Sequence, residues 1–174
     1  MNVFYYRFDG IDIGIAGDSK AIAAVFFGCE LPSGFVKAET PLIKKAAAQI
    51  EEYFAGKRKQ FSLPLAMNGT EFQMAVWETL QSIPYGETRS YKEIAAMVGR
   101  PKAVRAVGMA NNRNPISIIV PCHRVIGCDG SLIGYGGGLP VKKHLLDLER
   151  RICLSCTTRA GQPEGSGKER KRPI

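Results

Sequence analysis

The side chains with the most to offer chemically stand in a row. Cys122, His123 and Arg124 follow an apolar run over residues 116–120 and Pro121, in the stretch ISIIVPCHRVIG. The apolar run, bounded by turn residues, predicts a buried strand-like lead-in. Pro121 has no backbone N–H to donate and should end it. The picture is a thiol held at the end of a rigid segment, beside two groups able to favour its anion, and the thiolate is the nucleophilic form of cysteine. These residues leave two readings open, a reactive cysteine or an inert buried one, since free cysteines are among the most buried of residues.

The other chemistry-bearing residues say less. The five cysteines, at 29, 122, 128, 153 and 156, form an odd set without the spacing of a disulfide framework. Cys153-x-x-Cys156 lacks companion ligands, so neither a metal nor a redox site is expected there. Residues 127–140 carry Gly127, Gly130, Gly134, Gly136, Gly137 and Gly138 around Tyr135. Such a loop lets a backbone approach a ligand closely. Its spacing is that of neither a dinucleotide fingerprint nor a phosphate-binding loop, so no nucleotide cofactor is expected.

The elements that must position these residues can be read from pattern. Residues 1–36 are rich in Phe, Tyr, Ile and Val and are cut by Asp9-Gly10, Gly17-Asp18 and Gly28, which predicts antiparallel strands in hairpins. Leu42, Ile43, Ala46, Ala47, Ile50 and Phe54 have helical spacing over 41–54, closed by Gly56. Residues 57–68 read as a connection, with Pro64 and Asn68-Gly69 as breakers. Thr70 with Gln73 and Ser90 with Glu93 are capping boxes that open two helices. Phe72, Val76, Leu80 and Ile83 give the first of these an apolar face, on which Trp77 reads as core. Gly99 should cap the second, and Pro101 should open a third helix over about 101–109. Two short helices joined by a tight turn form a helix-turn-helix, whose second member has small residues and a few cations. Its surface could meet a neighbouring helix or a nucleic-acid groove. A last helix is expected over about 141–151, with Leu145, Leu146, Leu148 and Glu149. The fold class is therefore α+β: a small N-terminal α/β domain with antiparallel strands over 1–64, and a mainly helical C-terminal domain over 65–154 containing the helix-turn-helix. Residues 155–174 read as a disordered tail on composition.

Charge bears on the partner. The chain has 174 residues, 45% of them hydrophobic, and a formal net charge of +8, which suits a polyanion. Arg159, Lys168, Arg170, Lys171 and Arg172 against Glu164 and Glu169 put part of that excess in the tail. The start, MNVFYYRFDG, has neither the basic nor the apolar region of a secretory signal, and no apolar stretch nears the roughly 20 residues of a membrane span. A reducing, cytoplasmic location and no membrane association are expected.

The stretch Pro121-Cys122-His123-Arg124-Val125-Ile126 resembles the active-site signature of the O6-alkylguanine-DNA alkyltransferases, also called methylated-DNA–protein-cysteine methyltransferases. The likeness extends over about 70–149, with each segment in the family's order. It implies stoichiometric, irreversible repair of duplex DNA. The alkyl group of a flipped-out O6-alkylguanine, or secondarily O4-alkylthymine, would pass to Cys122 without a cofactor, in a protein that is monomeric in solution. By the same resemblance His123 would deprotonate Cys122 through a water, Glu149 would orient His123, and Asn114 would support the turn around the cysteine. Arg105 would enter the DNA stack and Tyr91 would help rotate the target nucleotide. Arg100 and Lys102 would meet phosphates, with Ala106 on the same DNA-facing helix. Tyr91, Tyr135 and the backbone at Val125 and Gly136 would line the base pocket. The zinc site of one branch of the family is not expected, since only Cys29 and no histidine precedes Cys122. Three rivals remain: a binding-only relative, which would lack the cysteine; a Cys–His hydrolase, which would turn over; and a plain helix-turn-helix regulator.

Overall fold

The computed structural model describes residues 1–30 and 33–159, the last four of these as backbone only. The chain begins with β1 (Asn2–Phe8), β2 (Ile11–Gly17) and β3 (Ile22–Phe27), an antiparallel meander. Asp9 and Gly10 both take left-handed backbone angles (φ 49° and 79°), the turn geometry whose twist suits a two-residue hairpin. A short β4 (Val36–Lys37) joins the free edge of β1 in parallel, giving the order β3-β2-β1-β4. That parallel edge departs from the all-hairpin expectation, because β4 arrives by a connection rather than a tight turn.

α1 (Pro41–Phe54) covers the sheet. Thr40 caps it by accepting from the Ile43 N–H, and Pro41 occupies the first turn, where its missing donor costs nothing. Ile43, Ala46, Ala47, Ile50 and Tyr53 form its buried face. The connection that follows is pinned rather than loose. The Gln49 amide brackets Ser62 through both its N–H and its carbonyl, and Leu65 bridges to Ile22 of β3.

α2 (Glu71–Gln81) and α3 (Tyr91–Met97) open on the two capping boxes read in the sequence, at Thr70 and Ser90. Trp77 of α2 is buried and donates to the Ala110 carbonyl at 2.9 Å. α4 (Val104–Asn112) begins and ends three residues later than the sequence suggests. Gly99 turns left-handed (φ 71°), Pro101 and Lys102 stay in the turn, and the helix starts only after Ala103. Its C-terminal asparagines do not break it, since Asn111 is buried and its side chain is engaged elsewhere. α3, the turn and α4 make the expected helix-turn-helix pair.

The apolar run before Cys122 is buried as expected but is not a strand. Ile116 bridges to Val25 of β3, Ser117 bridges to Val120, and between them the chain turns with Ile118 at φ 71°. Left-handed backbone at a β-branched residue costs about 1–3 kcal/mol. It is held by Ser117 donating to the Val25 carbonyl and Val120 donating to the Ile116 carbonyl. Cys122–Arg124 then form one 3₁₀ turn, and β6 (Val125–Ile126) pairs in parallel with β5 (Arg89–Ser90). α5 (Gly138–Arg159) closes the fold. It starts earlier and runs further than the 141–151 expected, so residues 155–159 of the expected tail continue a helix; residues 160–174 lie outside the described residues. A single apolar cluster passes from the sheet through α1 and α2 to Leu145 and Leu148 of α5.

Candidate active site

The 3₁₀ turn presents Cys122 to Asn114 and brings His123 and Arg124 to Glu149, and this organises the site. Cys122 is 3% exposed. Its sulfur accepts from Asn114 Nδ2 at 3.0 Å, and the same amide donates to the Val120 carbonyl at 2.8 Å. Asn114 Oδ1 accepts from the Ile116 N–H, so one side chain fixes both the bent lead-in and the thiol. Asn111, which sequence reasoning missed, donates to the Cys122 carbonyl at 3.3 Å from the end of α4.

His123 is fully buried and joins Glu149 of α5, Nε2 to Oε1, at 2.8 Å. Its Nδ1 is buried with no partner among the described residues. Arg124 does not sit by the thiol as the sequence suggested. It turns the other way, placing Nε and Nη2 on the Glu149 carboxylate at 3.0 Å each and Nη1 on the Ile83 carbonyl at 2.7 Å. The Gly86 N–H reaches Glu149 Oε2 at 2.9 Å, and Tyr53 of α1 donates to Oε1 at 2.8 Å. Burial acts to raise the Glu149 carboxyl, but the bonds and charges of His123 and Arg124 outweigh it and hold the group at about 2.

The thiol and imidazole shifts follow from the same burial. Desolvation pushes the Cys122 thiol up, with Asn114 and the Lys142 ammonium opposing, so the resting group is a neutral thiol. Burial pushes His123 down, against the raising effect of Glu149, and leaves a neutral imidazole that can accept a proton. Tyr135 is buried beside both; its ring meets the His123 ring edge-on at 6.5 Å. Burial and the nearby Cys122 and Glu149 charges push its phenol well above the ordinary range.

The Gly-rich loop is held by a lysine. Lys142 of α5 is 0% exposed, and its ammonium donates to the Val125 carbonyl at 2.6 Å and to the Ile133 carbonyl at 2.9 Å. Tyr91 donates to the same Ile133 carbonyl and lays its ring 5.7 Å from the ammonium. The Gly-rich loop is thereby tied to β6, α3 and α5, with Gly136 exposed on it. A signal for Lys142 was present: with Leu145, Leu146 and Glu149 it completes one helical face at i, i+3, i+4 and i+7. Tyr53 and Gly86 gave no such signal, because their roles depend on tertiary approach.

Arg100, Lys102, Arg105 and Ala106 are not brought to the thiol. All four are exposed on the turn and outer face of α3–α4, where Met109 (58% exposed) joins them. The three cations form no ion pair with a described residue, and Glu71 shares a cleft with Arg100 and Ala106. A cleft of about 520 Å³ lined by Lys59, Phe61, Tyr85, Pro121 and Arg124 opens on the other side of the 3₁₀ turn, and neither Cys122 nor Tyr135 lines it.

Comparison with known proteins agrees over most of the chain. Residues 71–151 match the family model described as 6-O-methylguanine DNA methyltransferase, DNA binding domain, and residues 5–67 match its ribonuclease-like domain. A methylated-DNA–protein-cysteine methyltransferase of Methanosarcina acetivorans is 52% identical over 153 residues, covering 83% of this chain and 97% of that one. A constitutive one from Bacillus subtilis is 59% identical over 113 residues, covering 64% and 68%. The crystal structure of Mycobacterium tuberculosis OGT in complex with DNA superposes with a TM-score of 0.82 at 41% identity, covering 87% of this chain and 94% of that one.

Proposed function

The chain belongs to the methylated-DNA–protein-cysteine methyltransferase family, and on that premise we propose how its own residues perform the reaction. It is a DNA-binding repair enzyme that moves an alkyl group from DNA to a protein cysteine. The acceptor in this reading is Cys122, and the substrate is O6-alkylguanine in duplex DNA, with O4-alkylthymine second. The observation that carries it is His123, anchored through Nε2 to Glu149 while its buried Nδ1 has no partner among the described residues. A water at Nδ1 satisfies that nitrogen and relays the Cys122 proton to it. The neutral thiol becomes a nucleophile only when His123 takes its proton, and Asn114 donates to the sulfur as charge builds there.

The thiolate attacks the alkyl carbon in line with O6. The S–C bond forms, the C–O6 bond breaks with its electron pair left on the guanine, and the proton lost by the thiol balances the one guanine regains. A thioether has no comparable leaving group, so each molecule acts once, and no cofactor enters the balance.

A thiol 3% exposed cannot reach a base inside the stack, so the target must be flipped out, at a cost of a few kcal/mol. Arg105 on the exposed face of α4 fills the vacated space, and Ala106 beside it lets the helix backbone come close. Arg100 and Lys102 pair with phosphates. Tyr91, Val125, Tyr135 and Gly136 receive the base. The protein acts as a monomer in the cytoplasm; no helix among the described residues is long and apolar enough to cross a membrane.

The test is intact-mass spectrometry with peptide mapping after mixing with an oligonucleotide containing O6-methylguanine. One methyl on Cys122, saturating at one per protein and absent from Cys122→Ala, is expected. Tight binding without a mass change would leave only a binding role, and repaired DNA with unmodified protein would mean a turning-over enzyme.

A further inference from the structure

Tyr53 lies in α1, in the half of the chain that carries none of the reacting groups, yet its hydroxyl reaches the proton acceptor. The residue is 0% exposed; its hydroxyl donates to Glu149 Oε1 at 2.8 Å and lies 3.4 Å from His123 Nε2. We infer that Tyr53 is a positioning residue for alkyl transfer: its hydroxyl, presented from α1, fixes Glu149 Oε1 and so sets how strongly His123 holds a proton. The inference rests on the reading of His123 as the group that takes the Cys122 proton.

Glu149 Oε1 is a crowded acceptor. It takes the Tyr53 hydroxyl, His123 Nε2 at 2.8 Å and Arg124 Nη2 at 3.0 Å, while Oε2 takes the Gly86 N–H and Arg124 Nε. Every donor on that carboxylate draws off negative charge that would otherwise favour the imidazolium form of His123. The Tyr53 contribution is well held in place. Its ring meets Phe61 at 5.7 Å, and meets Phe54 at 5.5 Å and Tyr85 at 5.9 Å edge-on, so the hydroxyl does not swing away.

A buried tyrosine commonly finds an acceptor for structural reasons alone, and that bland reading predicts lost stability and nothing more. The positioning role predicts a titration. The groups facing His123 are Glu149 and Lys142 from α5, Arg124 and Cys122 from its own turn, Tyr135 from the Gly-rich loop, and Tyr53 from α1. Of these, Tyr53→Phe changes one hydroxyl and keeps the ring. Without that donor the carboxylate holds the imidazolium more strongly, so the His123 pKa rises from its lowered position. More of the protein is then protonated at His123 at a given pH, and the acid limb of transfer moves to higher pH.

The experiment follows single-turnover methyl transfer from an O6-methylguanine oligonucleotide against pH, for the full chain and Tyr53→Phe, with melting recorded alongside. Transfer in the acid limb should fall about three- to tenfold, a displacement of roughly half to one pH unit, while the alkaline plateau changes little. Ile50→Val serves as a packing control on the same face of α1; its melting temperature should fall and its pH profile should not move. A ¹⁵N titration of the His123 ring reads the same shift without depending on catalysis. Superimposable profiles, or a loss of rate equal at every pH that tracks the loss of melting temperature, would overturn the role. Should the unsubstituted protein acquire no methyl on Cys122, the reading of the reaction falls first, and the His123 titration still reports on Tyr53 separately.

Discussion

Glu149→Gln would test the central ion pair while keeping side-chain volume. Arg124 is 6% exposed and spends Nε and Nη2 on the carboxylate, so the amide would leave a buried guanidinium without its counter-charge. Breaking one side of such a pair costs about 3–5 kcal/mol. In a chain of this length each kcal/mol moves the melting point by about 2–4 °C, so a fall of roughly 6–20 °C is expected at pH 7. The pH dependence gives a second check. Glu149 sits near 2 in the fold against 4.5 as the ordinary value, so its contribution is fully present above about pH 4.5 and is lost as pH falls through about 2. The glutamine does not titrate. The stability gap between the two proteins, measured by urea unfolding, should therefore be wide at neutral pH and should close across that window. A gap below about 1 kcal/mol at pH 7, the value of an exposed pair, would refute the buried-pair argument. So would a gap that stays constant down to pH 2.

Two further outcomes are expected. Arg105→Ala should slow transfer from duplex DNA about tenfold or more while leaving reaction with free O6-benzylguanine unchanged, since only the duplex needs a flipped base; equal losses on both would remove the proposed insertion role. Lys142→Met should strip donors from the Val125 and Ile133 carbonyls and slow transfer to free base and duplex alike. Burial lowers the Lys142 ammonium to about 8, so the unfolded chain binds more protons between there and 10.5. The unsubstituted protein should gain stability relative to Lys142→Met as pH rises through that range, and melting curves at the two ends would show it.

Local signals carried much of this fold. The boundaries of α1 followed from the spacing of Leu42 to Phe54 and from Gly56, and the starts of α2 and α3 from reciprocal Thr70–Gln73 and Ser90–Glu93 caps. Periodicity reports burial, not the identity of a backbone partner, so residues 116–120 looked like a strand although Ile118 turns left-handed within them. Pro101 suits a helix start equally well as the turn it occupies. At the site, Cys122, His123, Asn114 and Glu149 were legible through resemblance, and the structure brings them together. The direction taken by Arg124, and the arrival of Tyr53 and Gly86 at Glu149, depend on how distant segments meet, which no local window contains. Lys142 was legible in principle as part of an otherwise apolar helical face, but a lysine among leucines reads first as solvated.

α5 carries Lys142 and Glu149 on one rigid rod, two turns apart. One ties the Gly-rich loop to β6 and the other holds His123 and Arg124. At 3.6 residues per turn, a single residue inserted between them would rotate Glu149 by about 100° and withdraw it from His123 and Arg124. Substitutions at Lys143 or Asp147, which pair with each other on the exposed side, leave that spacing intact. Sequence drift in this helix is thus free to change residue type on its outer face but not to change residue number between the two positions. The Gly-rich loop before it has no such ruler: its length can vary as long as Ile133 and Tyr135 still reach their partners.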